Sequence, residues 1–160
     1  MNRTEEKYTK YALCKEMLET ADVIRNFDPM RTAAIAEVVK QKGKLMLTGE
    51  GSSRIMPAKL AIRRALTEGL DVQIVTDGSR QSMTYKLDEF AIFAASNSGR
   101  TKEVVKLLQA QKAAGNDALF GMTAQEDNLL KEYTAETLVL TCGWENAVAA
   151  TKSVVEQAMN

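Results

Sequence analysis

The stretch FAIFAASNSGRTKEVVKLLQAQKAAG, Phe90 to Gly115, decides the fold. Phe90 to Ala95 is a short apolar run rich in aromatic and branched residues, the pattern of a buried strand. Lys102 to Ala114 then places Val104, Val105, Leu107 and Leu108 at helical spacing. Between them lies the turn Ser96, Asn97, Ser98, Gly99, Arg100, Thr101, so the stretch reads as one βα unit. The first amides of a helix have no partner within it, and the helix dipole puts partial positive charge there, which suits the turn to an anion. Hydroxyls from Ser96, Ser98 and Thr101 add donors, and Gly99 lets the backbone come close to a ligand. The same residues would also serve as an ordinary N-cap, with Ser98 or Thr101 satisfying the orphan amides. The turn's place at the carboxyl edge of a parallel sheet, where such folds bind ligands, favours phosphate.

Working outward, the chain repeats this alternation. Residues 1 to 9 read as a polar arm, Tyr11 to Ile24 as an amphipathic helix, and Asp28-Pro29 opens a second helix reaching about Gln41, ended by Gly43. Lys44 to Thr48 is the first strand. Gly49, Glu50, Gly51, Ser52 and Ser53 then form another turn rich in glycine and hydroxyls, ahead of a helix from Ile55 to Glu68 with Pro57 in its first turn. Asp71 to Thr76 is the second strand. Asp77 to Glu89 is a connection in which Ser79, Ser82 and Tyr85 are candidates to face a ligand or a partner subunit. Ala118 to Met122 and Glu136 to Leu140 are further strands, separated by a short helix from Gln125 to Tyr133, and a final helix is expected from Asn146 to Met159. Five strands alternating with helices predict an α/β fold: a single doubly wound, flavodoxin-like, five-stranded parallel sheet with helices on both faces. The expected order is 2-1-3-4-5, with its switch point between the first and third strands, so that both Ser/Gly turns converge in one crevice. Residues 1–42 are expected to form helices packing on the domain and contributing to oligomer contact, and 43–160 the ligand-binding domain.

Composition narrows the chemistry. The 160 residues suffice for one domain with a real core. Twenty-one basic and 21 acidic residues cancel, which gives no support for nucleic acid or an anionic membrane as partner; anion affinity would be local. No apolar run approaches a membrane span and the start is too polar for a secretory signal, so a cytoplasmic protein is expected. Cys14 and Cys142, at positions expected to face the core, read as reduced thiols, and neither metal nor cofactor is expected. The chain has no histidine, so it cannot assemble a Ser-His-Asp or Cys-His apparatus or a His-ligated metal site. Proton transfer would fall to Glu, Asp, Lys, Tyr or Cys, or to another chain.

Three motifs in order, spanning Glu50 to Lys152, resemble the sugar isomerase (SIS) family, in particular the N-terminal SIS half of glucosamine-6-phosphate synthase-like two-SIS-domain proteins. GEGSS resembles the family's C-G-T-S, SNSGRT resembles S-Q-S-G-E-T, and ENAVAATK resembles E-I-G-V-A-S-T-K. The resemblance implies that Ser96, Ser98 and Thr101 bind phosphate through their hydroxyls, with amides from Asn97 and Ser98. It further implies that Gly51, Ser52 and Ser53 contact the sugar or its phosphate, and that Val148 offers a main-chain group to the sugar. Glu145 matches an acidic position near the sugar and is the candidate catalytic residue, with helix N-terminal charge compensation as the alternative. Lys152 matches a family lysine, or serves as a structural ion pair. Arg100, where the family has Glu, either faces solvent or strengthens anion binding.

The resemblance implies binding of a phosphosugar as part of a ketose–aldose isomerase or an amino-sugar phosphate deaminase or deglycase. The resemblance implies a catalytic Glu from a second SIS domain and a ring-opening His from a neighbouring subunit, so such an enzyme would act as a homo-oligomer or with a second SIS-domain chain. A non-catalytic phosphosugar-sensing subunit, or a fragment of a longer enzyme, are the alternatives. A nucleotide-binding protein has no P-loop lysine or G-x-G-x-x-G to support it.

Overall fold

A computed structural model of the chain describes residues 2–160. After a short helical turn α1 (Glu6–Thr9) come α2 (Ala12–Arg25), a 3-10 turn at Pro29–Thr32, and α3 (Ala33–Lys42). The alternating part follows as β1 (Lys44–Gly49), α4 (Ser52–Glu68), β2 (Gln73–Gly78), α5 (Ser79–Ser82), β3 (Ala91–Ala95), α6 (Lys102–Ala113), β4 (Leu119–Thr123), β5 (Glu136–Val139) and α7 (Lys152–Met159). The five strands form one sheet in the order β2-β1-β3-β4-β5, every neighbouring pair parallel. The order reverses between β1 and β3, so the expected switch point is present.

The alternation of the strands sorts their side chains to two faces. Met46, Ile92, Ala94 and Leu119 point to one, where Val104, Leu107 and Leu108 of α6 close a core with Leu87 and Leu130. Leu45, Ala91, Phe93, Phe120, Met122 and Leu138 point to the other, against Ile35, Val38 and Val39 of α3. Each fully buried side chain of this kind contributes ~1.5–3 kcal/mol relative to exposure.

Several boundaries differ from the sequence reading. The helix opened by Pro29 begins as a 3-10 turn, in which Asp28 Oδ1 accepts from the Met30 amide at 2.9 Å. Helix α4 starts at Ser52, not Ile55, so Pro57 lies inside it rather than in its first turn. The helix expected over 125–133 is reduced to a 3-10 turn at Leu130–Glu132, because the Asn128 side chain takes up the Leu130 and Lys131 amides and the Gln125 and Glu126 carbonyls. Ser79 and Ser82 are fully buried and belong to the scaffold. Ser79 Oγ bonds Thr48 Oγ1 at 3.0 Å, and Ser82 Oγ donates to the Gly78 carbonyl.

The largest departure is the last helix. Residues 146–151 are irregular and α7 begins only at Lys152. Glu16 of α2 accepts from the amides of Asn146 at 2.6 Å and Ala147 at 3.2 Å, while Glu145 folds forward onto the Thr151 amide. Two carboxylates thus take the amides that would have begun the helix earlier.

Glu156 of α7 is wholly buried and joins three parts of the chain. Its carboxylate accepts from the Thr141 amide and hydroxyl and from the Cys142 amide, all at 2.8 Å, and from Arg31 at 2.9 Å. Burial works to raise its pKa, but these hydrogen bonds prevail and hold it below the ordinary value near 4.5. A depressed folded-state pKa gives stability that is present above the unfolded value and lost as pH falls through the folded one. Glu156→Gln sets an amide against donors, and its expected cost near neutral pH is ~3–5 kcal/mol. In urea titrations the gap between wild type and variant should close below the ordinary glutamate pKa; a gap constant with pH would show that the carboxylate charge plays no part.

Candidate functional site

The site is built on the register of β1 and β3, which sets Gly49 beside Ala95 at the carboxyl ends of both strands. A Cβ on Gly49 would lie 2.6 Å from the Ala95 carbonyl oxygen, so only glycine lets the strands run together to this point. The two Ser/Gly turns therefore leave the sheet side by side. Gly51, with φ +59°, is the N-cap of α4, and Ser52 and Ser53 are its first two residues, Ser52 exposed and Ser53 half-buried.

On the β3 side, Ser96 is buried, Asn97, Ser98 and Thr101 are half-buried, and Thr101 is the N-cap of α6. The Ser96 and Thr101 hydroxyls bond each other at 2.7 Å, and Ser96 Oγ also accepts from the Thr101 amide at 3.3 Å. Two hydroxyls sharing one bond leave one hydrogen free to donate outward. Ser98 Oγ accepts from the Arg100 amide at 3.2 Å and keeps its own hydrogen. The Asn97 and Ser98 amides have no acceptor among the described residues, and Asn97 Oδ1 is likewise buried without a partner. The turn thus combines unengaged amides, hydroxyl donors and a helix N-terminus, the set that an oxyanion requires. Arg100 turns away from it to Asp127, 2.6 Å off, which answers the question its sequence left open.

The turn is held in place by β4 and the loop beyond it. The Asn97 carbonyl accepts from the Ala124 amide at 3.0 Å and from Thr123 Oγ1 at 3.2 Å, and the Gly99 carbonyl accepts from the Leu129 amide. Gly99 has φ +64° and lies so close to this loop that a Cβ would stand 2.3 Å from Asn128 Cβ.

The ENAVAATK segment is stitched to α2. Lys152, buried, places Nζ 2.8 Å from Glu19, and although burial works against its charge, that carboxylate raises its pKa. Glu145 Oε1 accepts from the Thr151 amide and hydroxyl at 2.7 Å each, and Oε2 accepts from the Ser153 hydroxyl. Burial works to raise its pKa, yet the bonds from Ser153 and Thr151 bring it below the usual range. Its carboxylate caps α7, and proton abstraction would require it to surrender those bonds. Val148 is fully exposed in the irregular segment. The sequence reading did not foresee Glu16 and Glu19, whose helical spacing marks only an amphipathic helix; their partners lie more than a hundred residues away. Cys14 and Cys142 are both free and partly buried. Burial and the nearby Glu156 push the Cys142 thiol up to about 12, which leaves it protonated and unsuited to nucleophilic attack. Across β2, Tyr85 donates to Asp77 at 2.5 Å, and Glu50 accepts from the Ser79 amide at 2.9 Å.

No protein-family model matches the chain. The 3-hexulose-6-phosphate isomerase of Mycobacterium gastri is 30% identical over 97 residues, 61% of this chain and 47% of that protein. The match thus spans about half the length of this curated relative. Among solved structures, the C-terminal domain of glucosamine-fructose-6-phosphate aminotransferase from Francisella tularensis covers 98% of this chain and 48% of its own, with TM-score 0.73 and 15% identity. A protein of Escherichia coli solved in complex with a sugar phosphate covers 99% of this chain and 89% of its own, with TM-score 0.72 and 21% identity. The fold of this chain is therefore the α/β fold of SIS-type phosphosugar isomerases, in keeping with the resemblance of its motifs. Among the described residues, no helix is long and apolar enough to cross a membrane.

Gly43 and Gly99 share nearly the same φ, but a Cβ on Gly43 meets nothing within 4 Å. Gly43→Ala should therefore carry only the left-handed backbone cost of ~1 kcal/mol, whereas Gly99→Ala should cost ~1–3 kcal/mol more as the turn is displaced. Urea denaturation of the two variants checks this; equal losses would mean that the Asn128 contact yields without strain.

Proposed function

We propose that the chain binds a phosphorylated sugar in the crevice between β1 and β3, its phosphate on the turn Ser96–Thr101. The observation that carries this reading is the turn itself: unengaged amides at Asn97 and Ser98 beside hydroxyls that still have hydrogens to give, at the start of α6. Ser53, in the first turn of α4 beyond the neighbouring strand, would contact the sugar, as would Gly51 and Ser52. Val148 would supply its main chain, and Lys152, through its ion pair with Glu19, would hold that segment in place.

The reaction class we favour is isomerisation of a sugar phosphate, by proton transfer between adjacent carbons of the open chain. The Mycobacterium gastri relative's name adds 3-hexulose 6-phosphate to the candidate ligands. With no histidine and with both Glu145 oxygens engaged, ring opening and part of the proton transfer would fall to a partner chain. We accordingly propose a cytoplasmic oligomer, and the exposed Ile55, Met56 and Leu66 on α4 support an apolar contact. The same two observations favour, as the second reading, a subunit that binds the phosphosugar without turning it over.

Calorimetry with fructose 6-phosphate, glucosamine 6-phosphate and 3-hexulose 6-phosphate tests the proposal, on wild type and on Ser98→Ala combined with Thr101→Ala. A hydrogen bond to a charged phosphate contributes ~1.5–3 kcal/mol, so the double variant should bind well over tenfold more weakly. Wild type that binds none of the three, or a variant that binds equally well, would remove the phosphate from this turn. Solvent deuterium entering the bound sugar would assign catalysis; binding without exchange would assign the second reading.

A further inference from the structure

The segment that joins β5 to α7 leaves the sheet at its carboxyl edge, the edge from which both Ser/Gly turns also leave. Two carboxylates hold it and leave three residues between them. Glu16 of α2 fixes the near end, with Oε1 2.6 Å from the Asn146 amide and Oε2 3.2 Å from the Ala147 amide. Glu145 fixes the far end, with Oε1 2.7 Å from the Thr151 amide. Val148, Ala149 and Ala150 span the interval, and their amides have no acceptor among the described residues. Val148 and Ala149 are exposed. Three successive N–H groups thus stand free on backbone that is anchored on both sides.

Glu16 is an anomaly in its own helix. An amphipathic helix ordinarily buries apolar residues and leaves its carboxylates in water. In α2 the buried residue is Glu16, at 4% exposed, while Leu13, Met17 and Ile24 are exposed. A carboxylate leaves water at a tolerable cost only where donors replace its hydration. The donors here are backbone amides 130 and 131 residues further along the chain. An apolar side chain would fill the position without that cost, so what the carboxylate adds is the placement of residues 146 and 147.

We propose that Glu16 is a positioning residue for the sugar end of the ligand: by holding residues 146 and 147 it sets the amides of Val148, Ala149 and Ala150 where they meet sugar oxygens. This rests on the reading in which Val148 offers its main chain to a phosphosugar. Recognition is then divided, the phosphate going to the Ser96–Thr101 turn and the sugar to a row of amides aligned from α2. Without the carboxylate the ligand itself would have to order the segment, and that loss of conformational freedom would be subtracted from its affinity.

The test follows the backbone amides of the full chain by NMR during titration with fructose 6-phosphate, glucosamine 6-phosphate, 3-hexulose 6-phosphate and inorganic phosphate. In wild type a phosphosugar should shift Ser98 together with Val148, Ala149 and Ala150, whereas inorganic phosphate should shift Ser98 alone. Glu16→Gln sets an N–H group against one of the amides; it should weaken phosphosugar binding by about tenfold or more and leave the affinity for inorganic phosphate unchanged. Glu16→Asp, charged but one methylene shorter, should fall between Glu16→Gln and wild type. Gly43→Ala, which carries a backbone cost away from the segment, should bind every ligand as wild type does. A Glu16→Gln variant that binds the phosphosugar as tightly as wild type would overturn the proposal. So would an equal loss for phosphosugar and phosphate, or a matching loss in Gly43→Ala, since either would mark a general effect of stability. Ser98 responding to a saturating phosphosugar while Val148, Ala149 and Ala150 stay unmoved would remove the role of Glu16 and leave the phosphate turn standing. No response at Ser98 to any of the three sugars would remove both. Should Glu16→Gln fail to fold, the wild-type shifts and Glu16→Asp still decide the matter.

Discussion

The approach of β1 to β3 at Gly49 and Ala95 is the constraint from which the rest of the site follows. In a parallel pair both strands leave the sheet at the same edge, so pairing carried to its last residue sets the two following turns shoulder to shoulder. A side chain at position 49 would collide with a backbone oxygen, an atom held by the ladder that cannot move aside as a flexible side chain can. The order of the sheet places the crevice between these strands, and the absence of a Cβ lets it narrow. The helix N-termini that follow then direct their unpaired amides into the same space.

The second organising device is electrostatic. Carboxylates are used to hold backbone amides: Glu156 of α7 for the residues after β5, Glu16 of α2 for residues 146 and 147, and Glu145, itself outside any helix, for the start of α7. A carboxylate accepting several backbone amides is held ionised, as the lowered pKa values of Glu145 and Glu156 indicate. This explains how a segment with helical composition stays irregular over residues 146–151. It also ties the N-terminal helices to the carboxyl edge of the sheet, through Arg31 to Glu156 and Glu19 to Lys152. Glu145, the acidic residue that the sequence offers as a candidate base, is here engaged in holding the start of α7.

Much of this was legible from residues alone. The short, continuously apolar runs of strands such as LMLTG and AIFAA, the helical spacing in 102–114 and the glycine turns between them predict five strands alternating with helices, and repeats of that kind pair in parallel in few ways. The hydroxyl-rich turn after β3 was legible too, because its donors are neighbours in the chain. Misplaced boundaries came where a side chain competes for an amide: Asn128 shortening one helix, Glu16 and Glu145 delaying another. Local propensity cannot register a competitor such as Glu16, more than a hundred residues away.

The sequence by itself determined the strand order, the two Ser/Gly turns and the exclusion of histidine chemistry, since each follows from short-range patterns, their succession along the chain, or composition. The tertiary structure decided what the carboxylates do, that Arg100 faces Asp127, and that Ser79 and Ser82 are buried scaffold. These are matters of which polar atoms meet across the fold. They are settled by the cost of leaving a buried donor or acceptor unpaired, and that cost exists only once distant segments have been brought together.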